Sequence, residues 1–277
     1  MKKWFPYIVI TLLIPVFTNC YTPRYVYSPI VQNIPVLIHK GDSKLGLDIS
    51  SNLSEKTVFG IDLQAAYAFT KHFAGQASYA HRTERNGGDF NTIYLDSSMI
   101  SYRRDITEFG LGYFNASGEN NQYLFQVFGG VGFGRSGFND IGKDRNNIYY
   151  HRFHTMSVTK IFIQPAFMIN DKHLFSATLS SCFNLVYFHN IKTDYTANEL
   201  DNYKLDSLNY RPRLFWEPAV TNNFGFKKIP GLRIEYQIAM AFLVSRTFVD
   251  YRTFNFSIGI LVDPPKLLKG RKRTSKN

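Results

Sequence analysis

Ten stretches of the chain alternate apolar and polar residues at period two, and the connections between them alternate between short and long. Because a strand turns successive side chains to opposite faces, this predicts strands near residues 44–53, 57–69, 73–84, 103–115, 121–134, 152–169, 172–190, 211–226, 231–247 and 251–262. The joints after the second, fourth, sixth and eighth strands are short: Thr70 to His72, Ala116 to Asn120, Asn170 to Asp171 and Lys227 to Pro230. Those after the third, fifth and seventh run to roughly 15–20 residues, within the usual error of strand boundaries. Even strand number, short turns at one end and long loops at the other describe a transmembrane up-and-down antiparallel β-barrel with its turns in the periplasm. The expected fold is all-β, a barrel over residues 44–262 in the cell outer membrane.

Each strand can be split into two faces. Phe59, Ile61, Leu63, Ala65, Tyr67 and Phe69 oppose Asp62, Gln64, Ala66 and Ala68; in the fifth strand Tyr123, Phe125, Val127, Val131 and Phe133 oppose Gln126, Gly130, Gly132 and Gly134. The ninth and tenth divide likewise, with Ile234, Ile238, Ile258 and Ile260 on one side and Arg233, Glu235, Gln237 and Ser257 on the other. A charge on a lipid face at midplane costs about 2–4 kcal/mol, so the polar set must point inward. Pro165 and Pro218 fall inside strands, where the missing N–H predicts bulges.

Beyond the N-terminal segment there is no apolar run of 18 residues, so no transmembrane helix is available. Residues 1–19 carry Lys2 and Lys3 and then run apolar from Trp4 to Phe17, the pattern of a secretory signal. Phe17-Thr18-Asn19-Cys20 resembles a bacterial lipobox, with Phe17 and Asn19 where Leu and Gly or Ala are usual. The resemblance implies acylation of Cys20. The other cysteine, Cys182, is then unpaired and reads as a small buried side chain.

Residues 20–43 hold three prolines and too little alternation for a strand, which predicts an extended periplasmic tether. The run YxxSPxxxNxPxLxxKGD from Tyr25 to Asp42 resembles the start of small outer-membrane β-barrel lipoproteins of the Bacteroidota type. That resemblance implies fold and location and carries no catalytic residue across.

The net charge of +11 is unevenly spread. Lys2 and Lys3 leave with the signal, and Lys266, Lys269, Arg271, Lys272, Arg273 and Lys276 lie in a basic tail, residues 263–277; roughly +3 remains for the barrel. Positive charge divided between rim and tail, on opposite sides of a membrane, argues against nucleic acid as a partner.

The inward polar set comprises Asp48, Asp62, Gln64, Gln76, Glu108, Gln126, Gln164, Glu217, Arg233, Glu235 and Gln237. A ten-stranded lumen is little wider than an eight-stranded one that side chains fill, so these residues are expected to pair and plug it. Were a narrow path open instead, five carboxylates against one arginine would make it prefer cations. Arg82, Arg85, Arg103, Arg104, Arg135, Arg152, Arg211, Arg213, Arg246 and Arg252 all fall at the long-loop ends of strands, where they would ring the outer rim. A guanidinium pairs bidentately with phosphate, so these arginines are candidates for contact with lipopolysaccharide, although plain seating in an anionic leaflet needs the same residues and is the favoured reading.

The rim also holds His81, His151, His154 and His189, with Asp89, Asp96, Asp105 and Asp140 in or near the same loops. Such pairs could activate water in a rim-sited hydrolase, but no fixed catalytic spacing appears, and no enzyme activity, metal or cofactor is expected. His72 and His173 read as turn residues flanked by aromatics. The favoured function is structural or surface-binding, with a narrow channel and a hydrolase as alternatives.

Overall fold

The computed structural model describes residues 23–51, 57–87, 98–143, 148–171 and 174–267. Its strands are β1 (Ser43–Ser51), β2 (Thr57–Ala68), β3 (Phe73–Gly87), β4 (Ser98–Ser117), β5 (Tyr123–Lys143), β6 (Tyr149–Asp171), β7 (Phe175–Thr193), β8 (Arg213–Phe226), β9 (Ile229–Met240), β10 (Phe242–Leu243) and β11 (Phe254–Val262). All pairings are antiparallel, and β1 pairs with both β2 and β11, which closes the sheet. β9 and β10 form one stave interrupted at Ala241: Ala219 faces Ala239 and Trp216 faces Phe242 on a single register. The result is a closed barrel of ten staves.

The alternation read from the sequence sets its two surfaces. Leu45, Leu47, Phe59, Leu63, Phe109, Leu111, Phe133, Ile161 and Leu179 are exposed on the outside, while Ala66, Ala68, Ala74, Ala80, Ala219 and Ala239 are buried inside. In water so continuous an apolar belt would drive aggregation; against hydrocarbon it is the solvated face.

The strands β4, β5 and β6 are longer than the pattern predicted, at 20, 21 and 23 residues, and β7 keeps its 19 residues but reaches three further toward the long connection. A bilayer crossing takes about 9–11 residues, so this side of the barrel rises past the membrane at the long-connection end. What supports the extension is a second core inside it: Ile100, Tyr102, Phe138, Met156, Val158, Val186, Phe188 and Phe215 pack with Tyr195, Leu205 and Leu208 from the β7–β8 connection. That connection folds over the mouth and carries a short helix, α1 (Ala197–Asn202), closed by a reciprocal cap between Thr196 and Glu199.

Neither proline makes the expected bulge. Pro165 stays in register opposite Val127, and Pro218 opposite Ser181. Each faces a short gap in the ladder on its other side, so the absent N–H interrupts pairing locally without shifting it. The register shifts lie elsewhere, between Thr155 and Ser157 and between Gly225 and Phe226.

The largest departure from expectation is the segment before β1. Residues 24–38 run through the lumen from the long-connection end to the short-turn end, and Arg24, Val26, Ile34 and Leu37 are among the most buried residues of the chain. The periplasmic tether expected for residues 20–43 is thus an internal strap over its described part. Proline accounts for its irregular backbone: at Pro29 and Pro35 there is no N–H to donate, so the segment cannot join the sheet as a strand. It reaches β1 through a turn in which Gly41 takes φ of +87° and Asp42 accepts the N–H groups of Ile38 and His39 at 2.8 and 2.9 Å.

Candidate functional site: the filled lumen and the outer wall

At the long-connection end Arg24 meets Asp140 of β5, with Nε and Nη2 at 3.0 and 2.5 Å from Oδ2. Both side chains are fully buried. The Arg24 guanidinium also lies 3.7 Å from the centre of the Tyr203 ring, and Tyr102 Oη donates to the Pro23 carbonyl at 2.8 Å. One turn deeper, Val26 N–H donates to the Asp250 carbonyl and Arg252 N–H to the Tyr27 carbonyl, each at 2.9 Å. Tyr27 forms a parallel bridge with Tyr251 and stacks on Phe215.

Midway, polar side chains of the wall serve as a ladder for the strap. Tyr27 Oη donates to Glu217 at 2.6 Å, Gln32 Nε2 to the Glu217 carbonyl at 2.7 Å and Ser180 Oγ to Gln32 Oε1 at 2.7 Å. Asn33 donates to the carbonyls of Ala65 and Ala77, and Gln164 Nε2 donates to the Asn33 carbonyl at 3.0 Å. Toward the short turns the strap becomes apolar. Ile34 and Leu37 pack among Ala68, Ala74, Phe114, Leu124, Phe128, Ala166 and Met168. Two interior spaces beside the strap are small: about 40 Å³ next to Val26, Ile30, Arg82 and Lys160, and about 20 Å³ next to Val36, Lys44 and Arg233. Each is on the scale of one or two water molecules.

Asp48, Asp62, Gln64, Gln126, Glu217, Arg233 and Glu235 are buried on inward strand faces, and Glu108 is half-buried. Asp62 pairs with Arg82 at 3.2 Å and accepts from Ser50; Gln64 accepts from Lys44 at 2.6 Å; Glu108 pairs with Lys160; Glu235 lies 3.4 Å from Lys44. Among the described residues neither Asp48 nor Gln126 has a hydrogen-bonding partner for its side-chain polar atoms. Asp48 sits where Gly259 crosses it, and a Cβ on Gly259 would strike its carboxylate.

The expected ring of ten rim arginines does not form as one. Arg82, Arg104, Arg213 and Arg252 point inward and are buried. Arg82 binds Asp62 and Asn255; Arg104 and Arg252 share Glu84, at 2.6 and 2.9 Å; Arg213 donates to Ser207 and to the Arg211 carbonyl. Strand phase is the reason: Arg103 and Arg104 are neighbours in sequence and must take opposite faces. The same arginines, with Arg24, Lys44 and Lys160, balance the luminal carboxylates, so the acidic lumen expected from the sequence is corrected to one of near-even charge. Arg85, Arg103, Arg135, Arg211 and Arg246 are exposed, and Arg152 pairs with Glu199 at 3.3 Å.

On the outer wall of β4 to β7 a groove of about 870 Å³ is lined by Arg103, Asp105, Arg135, Asn139, Asn190 and Lys192. Beside it, His81 Nδ1 lies 2.6 Å from Asp105 Oδ1, Thr83 Oγ1 lies 3.3 Å from His81 Nε2, and Tyr79 Oη donates to Asp105 at 2.9 Å. Cross-strand register brings these together, since His81 faces Asp105 and Thr83 faces Arg103. The other rim histidines do not gather: His151 is exposed, His154 is buried against Phe138 and His189 is half-buried on β7. Among the described residues no cluster of His, Cys, Asp and Glu has the form of a metal site. Cys182 is buried beside Asn184. Cys20, Asp89, Asp96, His173 and the tail from residue 268 lie outside the described residues.

No family model and no curated protein matches the chain. Solved structures do. An outer-membrane channel from Pseudomonas putida F1 is 9% identical, with a TM-score of 0.39 over 83% of this chain and 99% of that one. OmpT, an outer-membrane protein of Vibrio cholerae, is 9% identical with a TM-score of 0.26, covering 80% and 95% of the two chains. Its loop L8 deletion mutant is 7% identical with a TM-score of 0.27, covering 80% and 97%. The assignment of the barrel rests on the strand pairing itself.

Proposed function

We propose that the chain is an outer-membrane protein with a structural or surface-binding role, whose lumen is closed to solutes by its own N-terminal segment. The observation that carries this reading is the strap of residues 24–38, hydrogen-bonded to inward side chains on several strands and leaving water-sized spaces. A cation-preferring channel has lost its electrostatic basis, because luminal carboxylates are matched by Arg24, Lys44, Arg82 and Lys160. Binding then falls to the outer wall. Arg103, Arg135 and Lys192 in one groove suit the phosphates of lipopolysaccharide, and an acyl chain on Cys20 would add an anchor. The test is conductance in a planar bilayer, using only protein that shows a heat-dependent gel shift. The full chain is expected to be silent and a variant lacking residues 24–38 to conduct in discrete steps. Stable conductance by the full chain would remove the closed-lumen reading.

A hydrolase at the rim has one observation in its favour: Thr83, His81 and Asp105 follow one another in the order of hydroxyl, base and orienting carboxylate. Mass analysis of outer-membrane lipids from cells expressing wild type and His81→Ala tests it. Identical acylation in both would dispose of the activity.

A further inference from the structure

The path of the strap has a direction. Pro23 and Arg24 lie at the long-connection end, against Tyr102, Asp140, Tyr203 and Asp250; Leu37 and Asp42 lie at the short-turn end, against Phe114 and Ala68. The chain therefore enters the lumen through one mouth and begins β1 at the other. Long connections mark the extracellular end of such barrels and short turns the periplasmic end. From the direction of this path we infer that the chain preceding Arg24 opens on the cell-surface mouth of the barrel and not on its periplasmic mouth.

Chain length keeps Cys20 on the same side. Cys20 is three residues from Pro23, a reach of about 11 Å at full extension. The apolar band of an outer-membrane barrel is about 25 Å tall, so residue 20 cannot return to the periplasmic leaflet outside the wall. It cannot return inside either, because the strap packs against the wall toward both mouths, Val26 and Tyr27 at one and Ile34 and Leu37 at the other. A segment paired to the wall at Asp140, Glu217, Gln237 and Asp62 is also not threaded into a finished barrel. The barrel closes around it. The sidedness rests on the outer-membrane reading above and on the strap, and these are separated in the test.

The strap is tested by Tyr27→Cys with Tyr251→Cys. These residues form a backbone bridge and both rings contact Phe215, so the pair should oxidise to a disulfide in folded protein. Sidedness is tested by an epitope between Tyr21 and Thr22 and, separately, after Asn277, with antibody binding compared on intact and permeabilised cells. The expected result is a disulfide, an N-terminal epitope bound on intact cells and a C-terminal epitope bound only after permeabilisation. A disulfide with an N-terminal epitope that needs permeabilisation would overturn the sidedness and leave the closed lumen standing. Absence of the disulfide in folded protein would overturn both. If the insertion does not fold, Thr22→Cys in folded protein, labelled with a membrane-impermeant maleimide, gives the same reading, since Cys182 is buried: labelling of intact cells supports the inference, and labelling only after permeabilisation overturns it.

Discussion

Gln32 and Gln237 exchange two hydrogen bonds: the Gln32 N–H donates to Gln237 Oε1 at 2.8 Å, and Gln237 Nε2 donates back to the Gln32 carbonyl at 3.0 Å. A side-chain amide of the wall thus does for the strap what a neighbouring strand would do, satisfying both polar groups of one residue in a water-poor lumen. Gln237→Leu keeps the volume and removes both partners. Each orphaned group costs about 1–3 kcal/mol, so the variant should lose its heat-resistant gel form at a clearly lower temperature than wild type. An unchanged transition would mean that the strap is not held at Gln32.

Arg24 and Asp140 predict a different signature. With both side chains buried, loss of one leaves a charge without its counterpart, which costs about 3–5 kcal/mol, while loss of both is far milder. Arg24→Met should therefore destabilise the barrel strongly, and Arg24→Met with Asp140→Leu should recover most of the loss. Tyr195 donates to the same carboxylate at 2.7 Å, so some deficit should persist in the double variant. Additive effects in a double-mutant cycle would contradict direct pairing.

The barrel was legible because period-two alternation survives wherever one face meets lipid, and Asp62, Arg233 and Glu235 had only one direction to go. The strap was not legible, because a segment that pairs through side chains instead of a strand ladder has no period. Two signals did point to it. Gly130, Gly132 and Gly134, with Ala66, Ala68 and Ala239, leave the inner face of the wall too small to fill a ten-stranded lumen. Ile30, Val31, Ile34, Leu37 and Ile38 form an apolar set with no reason to be in a solvated tether. Position along a strand sets an arginine's height on the barrel, but phase sets its face, and phase turns Arg82, Arg104, Arg213 and Arg252 inward.

The cap over the mouth should respond to acid. Burial alone would raise the Glu199 carboxyl, but the Thr196 N–H and hydroxyl and the Arg152 guanidinium outweigh it and hold the group below its ordinary value. A carboxylate with a depressed folded pKa adds stability above its unfolded pKa, and that stability is lost as pH falls through the folded value. Protease cleavage within the β7–β8 connection should thus be slow at neutral pH and accelerate below about pH 4, the ordinary glutamate range. Glu199→Gln should be cleaved faster than wild type at neutral pH and show little further acceleration in acid. Equal pH dependence in both proteins would assign the effect to another group.

Arg103, Arg135 and Lys192 face the outer groove, whereas Arg82 and Arg252 face the strap, so the two sets should fail in different ways. Anionic lipid attraction needs cations in contact with the leaflet and leaves the fold to the strand ladder. The triple variant Arg103→Ala, Arg135→Ala and Lys192→Ala should co-purify severalfold less lipopolysaccharide per barrel and keep the wild-type gel-shift temperature. Arg82→Ala breaks a buried pair with Asp62, at about 3–5 kcal/mol, and should lower that temperature while retaining the lipid. If the outward variant kept its full lipid content, the groove would be a generic membrane seat, and the surface-binding role would have to be sought in the long loops instead.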